Sequence, residues 1–147
     1  MGIICKALKI GLFSETYDEH FKKYCEVANW YRCKAIGWVE SKYGMVKGGK
    51  GEIGIMQIMP ATGAILGYTE AELWIEEINI KCGCQHFGNM YVKFGCVIKK
   101  AVIAYNYGGE ALTIKINIYA DDYFKHLPKS VQEYWNAWYA AYIALAE

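Results

Sequence analysis

Helical periodicity constrains this chain more than any other feature of its sequence. Three segments, Thr16-Tyr17-Asp18-Glu19, Thr69-Glu70-Ala71-Glu72 and Ser130-Val131-Gln132-Glu133, have the Ser/Thr-x-x-Glu form of a capping box. In that motif the hydroxyl and the carboxylate each satisfy a backbone N–H that a helix start leaves unpaired. Apolar residues follow at helical spacing. Tyr17, Phe21, Tyr24, Cys25 and Ala28 make one stripe, and Val131, Tyr134, Trp135, Trp138, Tyr142 and Leu145 make another. The pattern predicts further helices over residues 30–41 and 75–94, although Gly83 and Gly88 weaken the latter. Residues 97–107 are apolar nearly all round, as expected of a buried central helix. Residues 44–54 break the pattern. Gly48, Gly49 and Gly51 there predict a tightly turning loop or a small hairpin. The expectation is a mainly α fold with one glycine-rich element.

A chain of 147 residues fits one domain, residues 1–147, and buries about 70% of its unfolded surface without a metal or disulfide staple. With 54% hydrophobic and 21% charged residues it is not a disordered chain. A net charge of +1 argues against a nucleic-acid partner, which selects a strongly basic face. No run approaches the ~20 apolar residues of a membrane span, so stable membrane insertion is not expected. Lys6 and Lys9 interrupt the apolar start, and no cleavage site follows. The expectation is synthesis in a cytoplasm without a signal peptide, as a monomer. The six cysteines, Cys5, Cys25, Cys33, Cys82, Cys84 and Cys96, then read as reduced thiols. Cys82-x-Cys84 lacks C-x-x-C spacing, and His20, His86 and His126 lack paired ligand spacing. No metal or cofactor is expected.

Glu40 stands out on chemistry alone. Ile36 at i−4 and Tyr43 at i+3 place it on an otherwise apolar helix face. Desolvation favours the neutral carboxyl. The negative end of the helix dipole acts in the same direction. A protonated carboxyl at neutral pH is what a general acid for glycosidic cleavage requires. The plainer alternative is a surface glutamate at a fraying helix end.

Four motifs weigh against that alternative. Ala35-Ile36-Gly37-Trp38-Val39-Glu40-Ser41 resembles the Glu-Ser motif of the soluble lytic transglycosylases, family twenty-three of the glycoside hydrolases. Gly54-Ile55-Met56-Gln57-Ile58-Met59-Pro60-Ala61-Thr62 resembles that family's Gly-Leu-Met-Gln-Ile-Met-Pro-Ala-Thr segment. Ala104-Tyr105-Asn106-Tyr107-Gly108-Gly109 resembles its Ala-Tyr-Asn-Ala-Gly motif, and residues 128–134 resemble its closing segment. The four occur in the family's order and extend over most of the chain. The resemblance implies a lysozyme-like fold whose glycine-rich loop or β-hairpin lines a cleft for peptidoglycan glycan strands. It implies that Glu40 is the sole catalytic carboxylate, acting as acid and then as base while the muramoyl 6-hydroxyl closes a 1,6-anhydro ring. Ser41, Met56, Gln57, Met59, Tyr105, Asn106 and Tyr134 are the substrate-binding residues it implies. Met59 would face the cleft, Gln57 would bond across it to substrate or to Glu40, and the Tyr134 hydroxyl would reach towards Glu40.

Departures from the family pattern matter as well. Lys47-Gly48-Gly49-Lys50-Gly51 offers no serine where the family usually has one. Tyr107 replaces a small residue. Glu52 is an extra carboxylate and a candidate for positioning water. Two alternatives stay open: a muramidase related to goose-type lysozymes, and a catalytically inactive wall-binding module. The goose-type group generally has an aspartate two residues after the Gln. Met59 stands there instead, as in transglycosylases. Size and the missing export signal fit a bacteriophage endolysin or virion-associated wall enzyme, and equally a bacterial enzyme whose export signal has been removed.

Overall fold

The computed structural model describes residues 11–25 and 29–147. The expected reading of the N-terminal segment, Cys5 and the stripe position Ala28 lie outside the described residues. Among the described residues the chain runs α1 (Asp18–Tyr24), α2 (Tyr31–Ser41), α3 (Pro60–Ile65), α4 (Glu70–Leu73), α5 (Glu76–Lys93), α6 (Ile98–Tyr107), α7 (Gly109–Tyr119), a 3₁₀ segment (Ala120–His126) and α8 (Lys129–Ala146). The mainly α expectation holds, and α2, α5, α6 and α8 lie where periodicity put them. None of the helices is long and apolar enough to cross a membrane, as far as the described residues extend.

Only one of the three capping boxes forms. The Thr69 hydroxyl accepts from the Glu72 N–H, and the Glu72 carboxylate accepts from the Thr69 N–H. Thr16 does not cap α1. The cap position belongs to Tyr17, and the Thr16 hydroxyl pairs with that of Ser14 at 3.1 Å. Ser130 lies inside the first turn of α8, because Pro128 already holds the cap position. Proline has no N–H to satisfy and its fixed φ suits a helix start. Sequence reading had no signal for α7 or for the 3₁₀ segment. It also passed over α3, which opens on Pro60 in the first helical position, where that residue is favoured.

The main core gathers Phe21 of α1, Ile36 of α2, Ile80 and Phe87 of α5, Val102 of α6 and Trp138 of α8. A second cluster joins Ile103 and Ala104 of α6 to Leu112, Tyr123, Leu127 and Val131. Helix α2 lies against α8, and α6 packs on both α5 and α8. The C-terminal end of α2 therefore emerges between α8 and the segment 44–59.

That segment carries no regular strand. Two isolated antiparallel bridges, Lys47–Ile53 and Ile53–Ile58, fold it back on itself twice. The glycine-rich element is a compact loop rather than a regular hairpin. Its apolar residues Ile53, Ile55, Met56 and Ile58 are buried in the main core. Asn79 of α5, itself fully buried, pins the loop from beneath. Its amide nitrogen donates to the carbonyls of Ile53 (2.8 Å) and Leu73 (2.9 Å), and its oxygen accepts from the Met56 N–H (2.9 Å). Gly54 is obligatory at this junction. Its φ is +79°, and a Cβ there would collide with the Asn79 amide.

Candidate active site

Helix α2 ends at Ser41 because Lys42 and Tyr43 both take positive φ, 54° and 63°. Glu40 thus occupies the last turn of the helix, partly buried, with the neighbouring Val39 against the core. Tyr43 is beyond the helix and does not continue its face as the i+3 spacing predicted. It turns back under α2, where its hydroxyl donates to the Leu12 carbonyl at 2.9 Å. From α8, the Tyr134 hydroxyl donates to Glu40 Oε2 at 3.1 Å. This is the contact expected of Tyr134.

Burial pushes the Glu40 carboxyl up to about 8. The Tyr134 hydrogen bond pulls it down, and the charge of Glu52 pushes it further up. Burial holds the phenols of Tyr134 and Tyr105 well above their usual range, so both stay neutral donors at physiological pH. At neutral pH the site holds a protonated carboxyl beside a neutral phenol.

Across from α8 the loop presents Glu52. Its Oε1 accepts from the Lys50 N–H at 2.6 Å, which fixes the carboxylate at the loop turn. Gly48 lies against both the Glu52 carboxylate and the Gln57 amide, and a Cβ at this position would strike them. Gln57 takes φ 50° and donates Nε2 to the carbonyls of Val46 (3.0 Å) and Gly54 (2.9 Å). Its amide nitrogen braces the loop from within rather than bonding to Glu40.

Comparison with known proteins adds a second line of argument. The profile described as the transglycosylase SLT domain matches residues 22–122. The chain belongs to the transglycosylase SLT domain family. The 70 kDa soluble lytic transglycosylase of Escherichia coli superposes with a TM-score of 0.78 at 26% identity, over 91% of this chain and 25% of that one. The 70 kDa soluble lytic transglycosylase in complex with bulgecin A gives 0.80 at 26% identity, over 91% and 24%. An inactive mutant of the lytic transglycosylase Slt of Pseudomonas aeruginosa gives 0.78 at 17% identity, over 89% and 24%. This chain spans about a quarter of the length of each. A search of curated protein sequences gives no match. The expected lysozyme-like, mainly α fold is the fold of this SLT domain.

Within the SLT domain, several residues expected to touch substrate do not face an open cleft. Ser41 is turned inward. Its hydroxyl donates to the Ile55 carbonyl (2.7 Å) and accepts from the Gly44 N–H (3.0 Å), tying the end of α2 to the loop. Met56 is 0% exposed and packs against Gly83 of α5, so it is core rather than cleft. A small residue at Gly83 makes room for that side chain. Tyr105 is also mostly buried, and its hydroxyl donates to the Met56 carbonyl at 2.7 Å. Its ring nevertheless helps line a small cavity of about 50 Å³, with Gln57, Ile58, Met59, Thr62 and His86. Met59, 39% exposed at the start of α3, lies on this cavity's lining and reaches solvent. Asn106 is exposed in the last turn of α6, and Gly108 rather than Asn106 caps that helix.

Asn79 and His86 were missed by sequence reasoning. Burial lowers the His86 pKa, and its ring lies 5.1 Å from that of Tyr105. A signal existed: Asn79, Gly83 and His86 follow at i, i+4 and i+7 on one face of α5. Polar side chains on a core-facing stripe demand partners. Here the partner of Asn79 is the loop that faces Glu40.

Proposed function

We propose that this SLT domain cleaves the β-1,4 bond between N-acetylmuramic acid and N-acetylglucosamine in peptidoglycan, forming 1,6-anhydromuramoyl ends. The observation that carries the reading is the partly buried Glu40 carboxyl, held protonated up to about pH 8 and contacted by the Tyr134 hydroxyl. As acid it gives its proton to the glycosidic oxygen. As carboxylate, with the Tyr134 hydroxyl donating to it, it takes the proton of the muramoyl 6-hydroxyl, which closes the ring. That hydroxyl is tethered beside the anomeric carbon, and its effective molarity favours it over a water. Glu40, Met59, Asn106 and the rim of the 50 Å³ cavity are the groups available to the sugar. Such a domain acts as a monomer on the cell wall or on periplasmic peptidoglycan. A bacteriophage endolysin made in the host cytoplasm is one setting that fits.

A second reading, hydrolysis by a muramidase, draws on Glu52, whose charge is felt at Glu40. An inverting hydrolase needs a second carboxylate about 6.5–9.5 Å from the acid to activate water. Mass spectrometry of products from purified walls separates the two. Anhydro products weigh one water less than hydrolysed ones and resist borohydride. Predominantly reducible muramic ends would establish the muramidase, and walls left intact would establish an inactive binding module.

A further inference from the structure

Three cysteines from three helical elements come together at the N-terminal end of α2. Cys25 is the C-terminal cap of α1, Cys33 lies in the first turns of α2, and Cys84 lies at mid-length in α5. The Sγ atoms of Cys25 and Cys33 are 2.8 Å apart. Cys84 lies near enough to both for its thiol to be influenced by theirs. Cys33 and Cys84 are buried, whereas Cys25 is only partly covered. Nothing in the spacing of these residues signalled their meeting.

The geometry favours sulfur–sulfur chemistry over a metal. Two thiolates on a tetrahedral zinc at about 2.3 Å stand about 3.8 Å apart, well beyond this pair. Among the described residues no group of three His, Cys, Asp or Glu side chains is arranged to hold a metal ion. The neighbouring residue, Lys34, ties the same two helices together through Asp18 at 2.6 Å. The helix-to-helix approach at the cysteines is therefore fixed independently of the sulfurs.

We propose that Cys25 and Cys33 form a thiol–disulfide site that closes by exchange with an external disulfide, of the class of oxidised glutathione or an oxidoreductase. Cys25, the less buried of the two residues, loses its proton and attacks the incoming disulfide, releasing one thiolate. Cys33 then loses its proton and attacks the Cys25 sulfur, releasing the second thiolate. Two cysteine thiols are oxidised, the external disulfide is reduced to two thiols, and the two protons pass to them. Burial pushes the Cys33 thiol well up, so the second step is the slow one. The bond staples the end of α1 to the start of α2, two turns before Glu40. It matches the passage of a wall-degrading domain from a reducing to an oxidising compartment, a setting that rests on the function proposed above. The thiol chemistry itself does not depend on that function.

The test uses the whole chain, incubated with oxidised glutathione and digested with trypsin without reductant. Cleavage after Lys23, Arg32 and Lys34 gives a peptide of residues 24–32 linked to the Cys33-Lys34 dipeptide. The oxidised protein should melt about 5–10 °C above the reduced one, and dithiothreitol should remove the difference. Cys25→Ser and Cys33→Ala should abolish the oxidised-minus-reduced shift, and Cys84→Ala and Cys96→Ser should keep it. That shift is measured within each variant, so a general loss of stability in Cys33→Ala does not obscure it. Absence of the linked peptides, a Cys25–Cys84 or Cys5–Cys25 linkage, or a shift that survives Cys25→Ser would overturn the proposal.

Discussion

Two walls flank Glu40, and different physics holds up each. The helical wall, α2 against α8, is an apolar seam of Ile36, Trp138, Ala141 and their neighbours, with backbone bonds closed inside each helix. The loop wall, residues 44–59, has only turn bonds and two isolated bridges of its own, and no regular strand or helix. Side chains from elsewhere complete these bonds: Asn79 from α5, Tyr105 from α6 and Ser41 from α2, with Gln57 from within. The helical wall holds the acid in place and the loop wall shapes what surrounds it. A seam of that kind is robust to single polar changes. A loop held by a few buried polar bonds is not, because each lost partner leaves a backbone group unsatisfied.

The largest expected effect separates chemistry from architecture on the helical side. Glu40→Gln should reduce wall lysis by about 10²–10⁴-fold while the fold stays intact, since an amide keeps the shape and cannot shuttle a proton. Stability should move the other way. The folded Glu40 keeps its proton up to about pH 8, whereas the unfolded carboxyl loses it near its ordinary value. Between those values the native state binds more protons, so wild-type stability falls as pH rises through the window. Glu40→Gln removes that cost. Relative to wild type it should gain about 1–3 kcal/mol on going from pH 4 to pH 9 in denaturant titrations. Lysis near the wild-type rate, or a stability difference that ignores pH, would mean that Glu40 is an ordinary surface carboxylate.

The next effect belongs to the loop wall. Asn79→Ala leaves the Met56 N–H and the Leu73 carbonyl without their partner, leaves the Ile53 carbonyl only the Ile58 N–H, and should cost about 2–4 kcal/mol. Hydrogen exchange should show the loss concentrated in residues 44–59, with α2 and α8 still protected. Activity should fall although no group in contact with the glycan has been removed. Uniform loss of protection across α2, α8 and the loop would erase the distinction between the walls.

The two walls also differ in how far the sequence revealed them. The α8 stripe from Val131 to Leu145 has a period that only a helix satisfies, and Trp138 and Leu145 are buried as that period requires. Its starting residue was misplaced because Ser130 has the composition of a cap, while Pro128 occupies the position. Thr16 failed similarly, its hydroxyl engaged by Ser14. Capping boxes are local patterns, and neighbouring residues compete for the same N–H groups. The loop has no period at all. Its motif drew attention to this segment, but it did not say which way the residues face. Ser41 and Met56 turn inward because the short loop must bury its own backbone, and Ser41 is the hydroxyl within reach. Asn79 lies 22 residues beyond Gln57, so only the three-dimensional fold shows that it belongs to the same unit.

The smallest expected effects set the walls against each other at a single proton. Tyr134 on the helical wall pulls the Glu40 pKa down by hydrogen bonding to the carboxylate, and Glu52 on the loop wall pushes it up by like charge. The alkaline limb of the pH–rate profile, where the general acid deprotonates near about pH 8, should therefore move in opposite directions. Tyr134→Phe should shift it to higher pH and reduce kcat by about 10-fold, since a hydrogen bond to a charged group is worth about 1.5–3 kcal/mol. Glu52→Gln should shift it to lower pH and cost less than about 10-fold, because a through-space charge at a partly exposed site is screened. Salt gives the finer discrimination. Raising ionic strength should mimic Glu52→Gln in the wild type and change little in the Glu52→Gln variant itself, whereas the Tyr134 contribution, made by direct contact, should persist. A limb that moves the same way in both variants would show that burial alone sets the acid. A loss at Glu52 as large as at Glu40 would show instead that the loop carboxylate takes part in the chemistry, and that the two walls share the catalysis as well as the proton.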